Sequence, residues 1–298
     1  MKKVSNIYEK IIKLISVFLL MLILAVILFL YQSLTLYQPP LTQFISMNEK
    51  QSFEPFVEID SKLSCYRPML DAETISTTQP LKLLVWNVHK GEDKGWQSLL
   101  LNYEEKTDFM LLQEATSLQK LPQLLQRMPN QLFASGFSYR DMQSGVATLS
   151  LFSPQYYCSA AVDEPWLGIP KTGVSSVYPL DNGKFLLIIN VHMINFEWTP
   201  TAYRQQLEQI MQQLEQRVDA VIIAGDFNAW NQERVEILQQ KMEQFGLHEI
   251  SFFPDNRLRF NDFPLDHIFV KGLKAISATT QKTKASDHNP MWVELAFD

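Results

Sequence analysis

From Leu81 onward, short apolar runs alternate with amphipathic stretches, and this alternation restricts the chain to a layered α/β architecture. Leu81–Trp86, Phe109–Leu112, Val146–Leu151, Phe185–Val191, Ala220–Ala224, Ile268–Val270 and Met291–Phe297 read as strands. Several are apolar almost throughout, as expected of strands covered on both faces. Thr201–Val218 places Tyr203, Leu207, Ile210, Met211, Leu214 and Val218 at steps of three and four, one stripe facing a sheet. Asn231 is placed to cap a second helix through Phe245, which Gly246 ends. The expected body is one domain over residues 81–298, without an internal repeat.

The N-terminal part has a different texture. Residues 1–13 hold Lys2, Lys3, Lys10 and Lys13 against Glu9. Leu14–Leu30 follows, with Ser16 its one polar residue. That run exceeds a usual signal-peptide core and reaches the lower length limit for a bilayer span. We expect a basic cytoplasmic segment over 1–13 and a transmembrane signal-anchor over 14–31. No lysine follows the run until Lys50, so the positive-inside rule places the body outside the cytoplasm, in the periplasm of a Gram-negative cell. A cleaved signal peptide is the competing reading. Residues 32–80 read as a linker, interrupted by Pro39, Pro40, Pro55, Pro68 and Pro80.

Hydrophobic residues make up 46% of the chain, enough to build a core rather than a disordered chain. The net charge is −6, and the N-terminal lysines make the body more acidic still. An acidic body without basic runs argues against tight, sequence-independent gripping of long nucleic acid. It leaves a nuclease open, because a bound cation supplies local positive charge. Cys65 and Cys158 could form a disulfide outside the cytoplasm, or be two separate small apolar residues.

Five segments set polar residues beside apolar strands, where rigid backbone meets solvent. Asn87, in Trp86-Asn87-Val88-His89-Lys90-Gly91, offers an oxygen to a hard cation or an amide to a carboxylate. Glu114, in Leu111-Leu112-Gln113-Glu114, suits a lone carboxylate anchor for magnesium or caps the next helix. Asn190 and His192 share one strand face, and His192 could face a phosphoryl oxygen. In Gly225-Asp226-Phe227-Asn228, glycine lets the chain turn while Asp226 and Asn228 share a face to orient water. Leu265-Asp266-His267-Ile268-Phe269 and Ser286-Asp287-His288-Asn289-Pro290 offer two carboxylates and an imidazole; one carboxylate can back His288 and the other face a metal. Each segment alone also has an ordinary structural explanation as a turn, a cap or a core histidine.

In this order the set resembles the endonuclease/exonuclease/phosphatase superfamily, which includes the DNase I-like nucleases. The matching strings are WN at 86–87, QE at 113–114, NVH at 190–192, GDFN at 225–228, LDHIF at 265–269 and SDHNP at 286–290. WNVHKG, SGVATLS and GDFNAW are similar to a bacterial branch for which the resemblance supplies no substrate. The resemblance implies a four-layer α/β sandwich, two packed mixed β-sheets between helices. It implies a phosphodiesterase dependent on magnesium, with manganese as an alternative. Glu114 would be the main metal ligand, with Asn87 and Asp287 near the cation. Asp226 and Asn228 would orient or deprotonate the attacking water, and His288, backed by Asp266, would face the phosphate. His192 fits the DNase I and sphingomyelinase branches. An acidic residue of the AP-endonuclease pattern is replaced by His89, which speaks against abasic-site repair. The expected substrate is a phosphodiester, either nucleic acid or a lipid or small molecule. The membrane is the other expected partner, and no obligate protein partner is evident. A non-catalytic, membrane-anchored binding or scaffold protein on the same fold is the reading from a different class.

Overall fold

The computed structural model describes residues 2–47, 53–55, 64–68, 71–215 and 218–298. Among them, seven strands form one sheet, in the order β1 (Leu34–Ser46), β6 (Asn130–Tyr139), β7 (Met142–Ser150), β5 (Phe109–Thr116), β4 (Leu81–Asn87), β17 (Met291–Phe297) and β16 (Leu273–Thr280). Eight form a second, in the order β12 (His248–Glu249), β15 (Asp266–Lys271), β11 (Ala220–Asp226), β10 (Phe185–His192), β9 (Pro170–Pro179), β8 (Tyr156–Asp163), β3 (Ser64–Pro68) and β2 (Phe53–Pro55). A short hairpin pairs β13 (Arg259–Phe260) with β14 (Phe263–Pro264). Both sheets are mixed: β4 runs parallel to β5 and β10 parallel to β11, and the other pairings are antiparallel.

Period-two alternation explains the almost unbroken apolar strands. Leu83 and Val85 of β4 point into the space between the sheets, beside Ile188 of β10 and Ile222 of β11. Leu84 and Trp86 point outward, onto Trp96 and Leu100 of α2 (Trp96–Glu104) and Leu121 of the short α3 (Leu121–Leu124). On the far side, Leu187, Ile189, Val221 and Ile223 meet Tyr203, Leu207 and Ile210 of α4 (Thr201–Gln212) and Leu238 and Met242 of α5 (Gln232–Gln244). The result is helix, sheet, sheet, helix, the expected four layers. Asn231 caps α5 by accepting from the Arg234 N–H at 2.9 Å, as expected, and Gly246 follows with φ +73°.

Residues expected to link two regions instead supply edge strands. β1 pairs with β6 over nine residue pairs, with its register shifting between Leu36 and Leu41 around Pro39 and Pro40. Proline lacks an N–H, so it is accommodated where the ladder breaks or at an edge. β3 lies beside β8 with Cys65 directly opposite Cys158, and the two form a disulfide. Residues 48–52, 56–63 and 69–70 of the expected linker lie outside the described residues.

The N-terminal apolar run lies within a single helix, α1 (Lys2–Ser33). The transmembrane span expected over 14–31 is not found: among the described residues no helix is long and apolar enough to cross a membrane. The unbroken stretch of described α1 side chains runs from Lys10 to Val26 and includes Lys10 and Lys13. The apolar side chains from Leu14 to Val26 nevertheless stand exposed, away from the core of the body.

Candidate active site

One edge of the sandwich collects the expected site. Asn87 ends β4, Glu114 lies near the end of the parallel β5, His192 ends β10 and Asp226 ends the parallel β11. Asp266 begins β15, directly opposite Asp226. Asp287 and His288 sit just before β17, which starts at the same edge. Parallel strands bring their carboxyl ends to one side, so residues far apart in sequence meet there.

Local structure makes this convergence possible. Gly225 lies opposite Val191 with φ +143°, and a Cβ there would stand 2.0 Å from the Val191 carbonyl oxygen. Glycine is therefore required for β10 and β11 to approach. Beneath the site, Gln113 Nε2 donates to Asn190 Oδ1 at 2.7 Å, joining the two sheets through buried amides. Ser286 donates to the Asn87 carbonyl at 2.7 Å, and the Trp86 indole donates to the His288 carbonyl at 2.9 Å. These bonds dock the Ser286–His288 loop onto the end of β4.

Asp226 is the centre of the site. Its Oδ2 accepts from Asn87 Nδ2 at 3.0 Å, and its Oδ1 accepts from the Asn228 backbone N–H at 3.0 Å. His192 Nε2 stands 3.5 Å and His288 Nε2 3.9 Å from the same Oδ2. Asp266 Oδ2 lies 2.8 Å from His288 Nδ1. Asn228, at φ +47°, turns its side-chain amide to the Met193 carbonyl, so it braces the loop after β10 while its backbone braces Asp226.

The two histidines are driven to opposite charge states. Burial and the Lys171 ammonium push His192 down to about 4, outweighing Asp226 and Glu114. Burial also opposes the charge on His288, but Asp266, Asp226 and Asp287 overcome it and push the ring up to about 10. At neutral pH one imidazole is neutral and its neighbour is a cation.

Glu114 has φ +52°, and its Oε2 lies 2.5 Å from the Lys90 ammonium. Burial opposes its ionisation, yet His192, Lys90 and Lys171 hold the carboxyl down at about 2. Asp287 is more exposed, 3.8 Å from His89 Nδ1. His89 itself pairs with Asp93 at 2.8 Å, and that hydrogen bond raises its pKa.

Among the described residues, Asp226, Asp266 and His288 bring ligand atoms within 4.8 Å of one another. Glu114 and Asp287, expected to hold a metal, stand outside that cluster, while Asn87, expected to join them, donates to its Asp226 at 3.0 Å. Within the cluster, Asp266 and His288 already satisfy each other at 2.8 Å. Glu114, Asp287 and Asn87 each carry oxygen of the kind a hard divalent cation takes. The Lys90 ammonium against Glu114 shows that positive charge fits there.

The sequence reading missed Lys171 and Glu164. Lys171 Nζ stands 2.9 Å from His192 Nε2 and 3.8 Å from Glu164 Oε2. An ammonium only donates, so His192 Nε2 accepts and Lys171 is the cation presented beside it. Neither residue belongs to a strand-end motif. A lysine on β9 and a glutamate in the turn before it carry no signal until β9 is paired with β10.

A profile described as the Endonuclease/Exonuclease/phosphatase family matches residues 84–288. A UPF0294 protein of Vibrio vulnificus (strain YJ016) is 37% identical over 248 residues, covering 80% of this chain and 84% of the relative. A UPF0294 protein of Yersinia enterocolitica (serotype O:8 / biotype 1B) is 38% identical over 225 residues, covering 74% and 85%. The solved endonuclease/exonuclease/phosphatase structure from Beutenbergia cavernae aligns with a TM-score of 0.56 at 14% identity, covering 74% of this chain and 72% of that one. With that match across most of its length, the chain belongs to the endonuclease/exonuclease/phosphatase family.

Proposed function

We propose that this protein is a metal-dependent phosphodiesterase that hydrolyses a phosphate ester by in-line attack of water. The observation that carries this reading is the Asp226 carboxylate, held by Asn87 and Asn228 between a neutral and a cationic histidine. Asp226 orients the water and accepts its proton as the water oxygen bonds to phosphorus. The opposite phosphorus–oxygen ester bond breaks in line, and its electron pair leaves on the departing oxygen, which takes up a proton. The His288 cation, kept charged and oriented by Asp266, offsets the negative charge gathering on the phosphoryl oxygens. Lys171 adds a second positive donor beside His192. Glu114, with Asn87 and Asp287, would hold magnesium or manganese. When bound, that cation supplies Lewis-acid neutralisation of the phosphate and a more acidic water.

Two further parts of the proposal concern location. The body works outside the cytoplasm, a reading supported by the Cys65–Cys158 disulfide. The exposed apolar side chains of α1 anchor it to the membrane.

The full chain in detergent should hydrolyse bis-p-nitrophenyl phosphate with Mg²⁺ and lose the activity in EDTA. Asp226→Asn and His288→Ala should each lower kcat by about 10²–10⁴-fold. Turnover that persists in EDTA, or in both variants, would sink the reading. A fold without catalysis would instead give no turnover in any metal.

A further inference from the structure

The catalytic edge carries a rim of exposed aromatic and apolar side chains. Trp166 and Leu167 lie in the turn between β8 and β9, and Phe196 and Trp198 lie in the loop after β10. Trp198 is 87% exposed and Trp166 51%, with ring centroids 4.8 Å apart. Phe260 of the β13–β14 hairpin, also exposed, packs edge-on against Trp230 from the loop after β11. This rim adjoins the site: Glu164 accepts from the backbone N–H groups of Asn195 and Phe196 and lies 3.8 Å from Lys171, which reaches His192. Large exposed apolar groups gathered at one place mark an interaction surface.

The register of the sheets says what covers it. β10 ends at the catalytic edge, so β9, antiparallel to it, begins there, and β8 ends there. In the other sheet β5 ends at the same edge, so β7 begins there, β6 ends there, and β1 begins there. The end of α1 is therefore at the catalytic edge as well. The Ser33 carbonyl accepts from the Arg140 N–H at 2.8 Å, in the β6–β7 turn, and the Arg140 guanidinium lies over the Phe29 ring. Five residues beyond the helix, Gln38 donates to Asp163, the last residue of β8 and three before Trp166. The apolar helix and the aromatic rim thus leave the body on one side.

We propose that this edge rests on a lipid bilayer, with Trp166, Leu167, Phe196 and Trp198 entering the interface and the catalytic groups facing the headgroups. Tryptophan favours that interfacial layer because its ring is apolar while its N–H stays near water. Lys171 and Lys90 supply positive charge where anionic headgroups would lie. The inference deepens the phosphodiesterase reading, giving a substrate whose phosphodiester sits at a membrane surface, and it rests on α1 as the anchor.

The test uses the full chain reconstituted into phosphatidylethanolamine/phosphatidylglycerol vesicles, with or without bromine on the upper acyl chain. α1 contains no tryptophan, so quenching of tryptophan emission by bromine reports the body alone. We expect quenching in the wild type, and at least half of it lost in Trp166→Phe/Trp198→Phe. That double variant should keep its rate on bis-p-nitrophenyl phosphate within twofold, which verifies its fold. Vesicle-bound protein without quenching, or quenching equal in the two proteins, overturns the proposal. Protein that fails to float with vesicles overturns both the anchor and the docking. Quenching without any hydrolysis overturns the phosphodiesterase reading and leaves the docking in place.

Discussion

His89, Lys90 and Gly91 all take left-handed backbone angles, and the turn they form carries the Lys90 ammonium to Glu114. Such angles cost a non-glycine residue about 1–2 kcal/mol each, so the turn is held by its partners. His89 supplies two of them, through its N–H to Asn87 Oδ1 at 3.0 Å and its ring to Asp93. A lysine on the proposed metal ligand competes with the cation. Lys90→Met keeps the apolar stem and removes the charge, so Mg²⁺ should bind on the order of tenfold more tightly. Isothermal titration of both proteins measures this, and equal or weaker binding would show that Lys90 does not compete. Away from the site, Glu249 makes a structural pair with His267 at 2.7 Å and Arg257 at 2.7 Å. Burial opposes its charge, but these partners bring the carboxyl down to about 2. A depressed folded-state pKa contributes stability that is complete above the usual carboxylate range and is lost as pH falls toward 2. Glu249→Gln should therefore cost roughly 1–3 kcal/mol at neutral pH, with the difference from wild type shrinking between about pH 5 and pH 2. Urea midpoints across that range would reveal it, and a pH-independent difference would contradict it.

At the scale of elements, the contact between β10 and β11 depends on the absence of one side chain. Gly225→Ala would place a methyl against the Val191 carbonyl in a backbone region that alanine avoids. The strands would have to separate, moving Asp226 away from His192, which lies opposite it. We expect a loss of at least about 3 kcal/mol in denaturant stability, together with loss of catalysis. A variant of unchanged stability would show that the backbone relaxes there. The central elements were legible for physical reasons: β4, β5, β10 and β11 are covered on both faces and read as apolar runs. α4 shows one stripe, and α5 has its asparagine cap. β9 was not legible. Its buried Thr172, Ser175 and Ser176 are small and polar, so periodicity does not expose them as core. β1 was hidden by Pro39 and Pro40, which read as linker residues and instead lie where the ladder shifts register.

For the whole molecule, the sequence alone determined the layered α/β class, the order of the strand-end motifs and the family they resemble. It could do so because those signals are local: an apolar run, a helical stripe, and a polar residue where a buried strand meets solvent. Tertiary structure decided what the motifs do to each other. Pairing of β11 with β15 sets Asp226 opposite Asp266, and docking of the Ser286 loop on β4 brings His288 to Asp266. Burial and neighbouring charge then drive His192 and His288 to opposite protonation states. Lys171, Glu164 and the Cys65–Cys158 bridge depend on strands adjacent in space rather than in sequence. The exit of α1 beside the catalytic rim is likewise fixed by the register of whole sheets, a sum of pairings that a local stretch of chain does not encode.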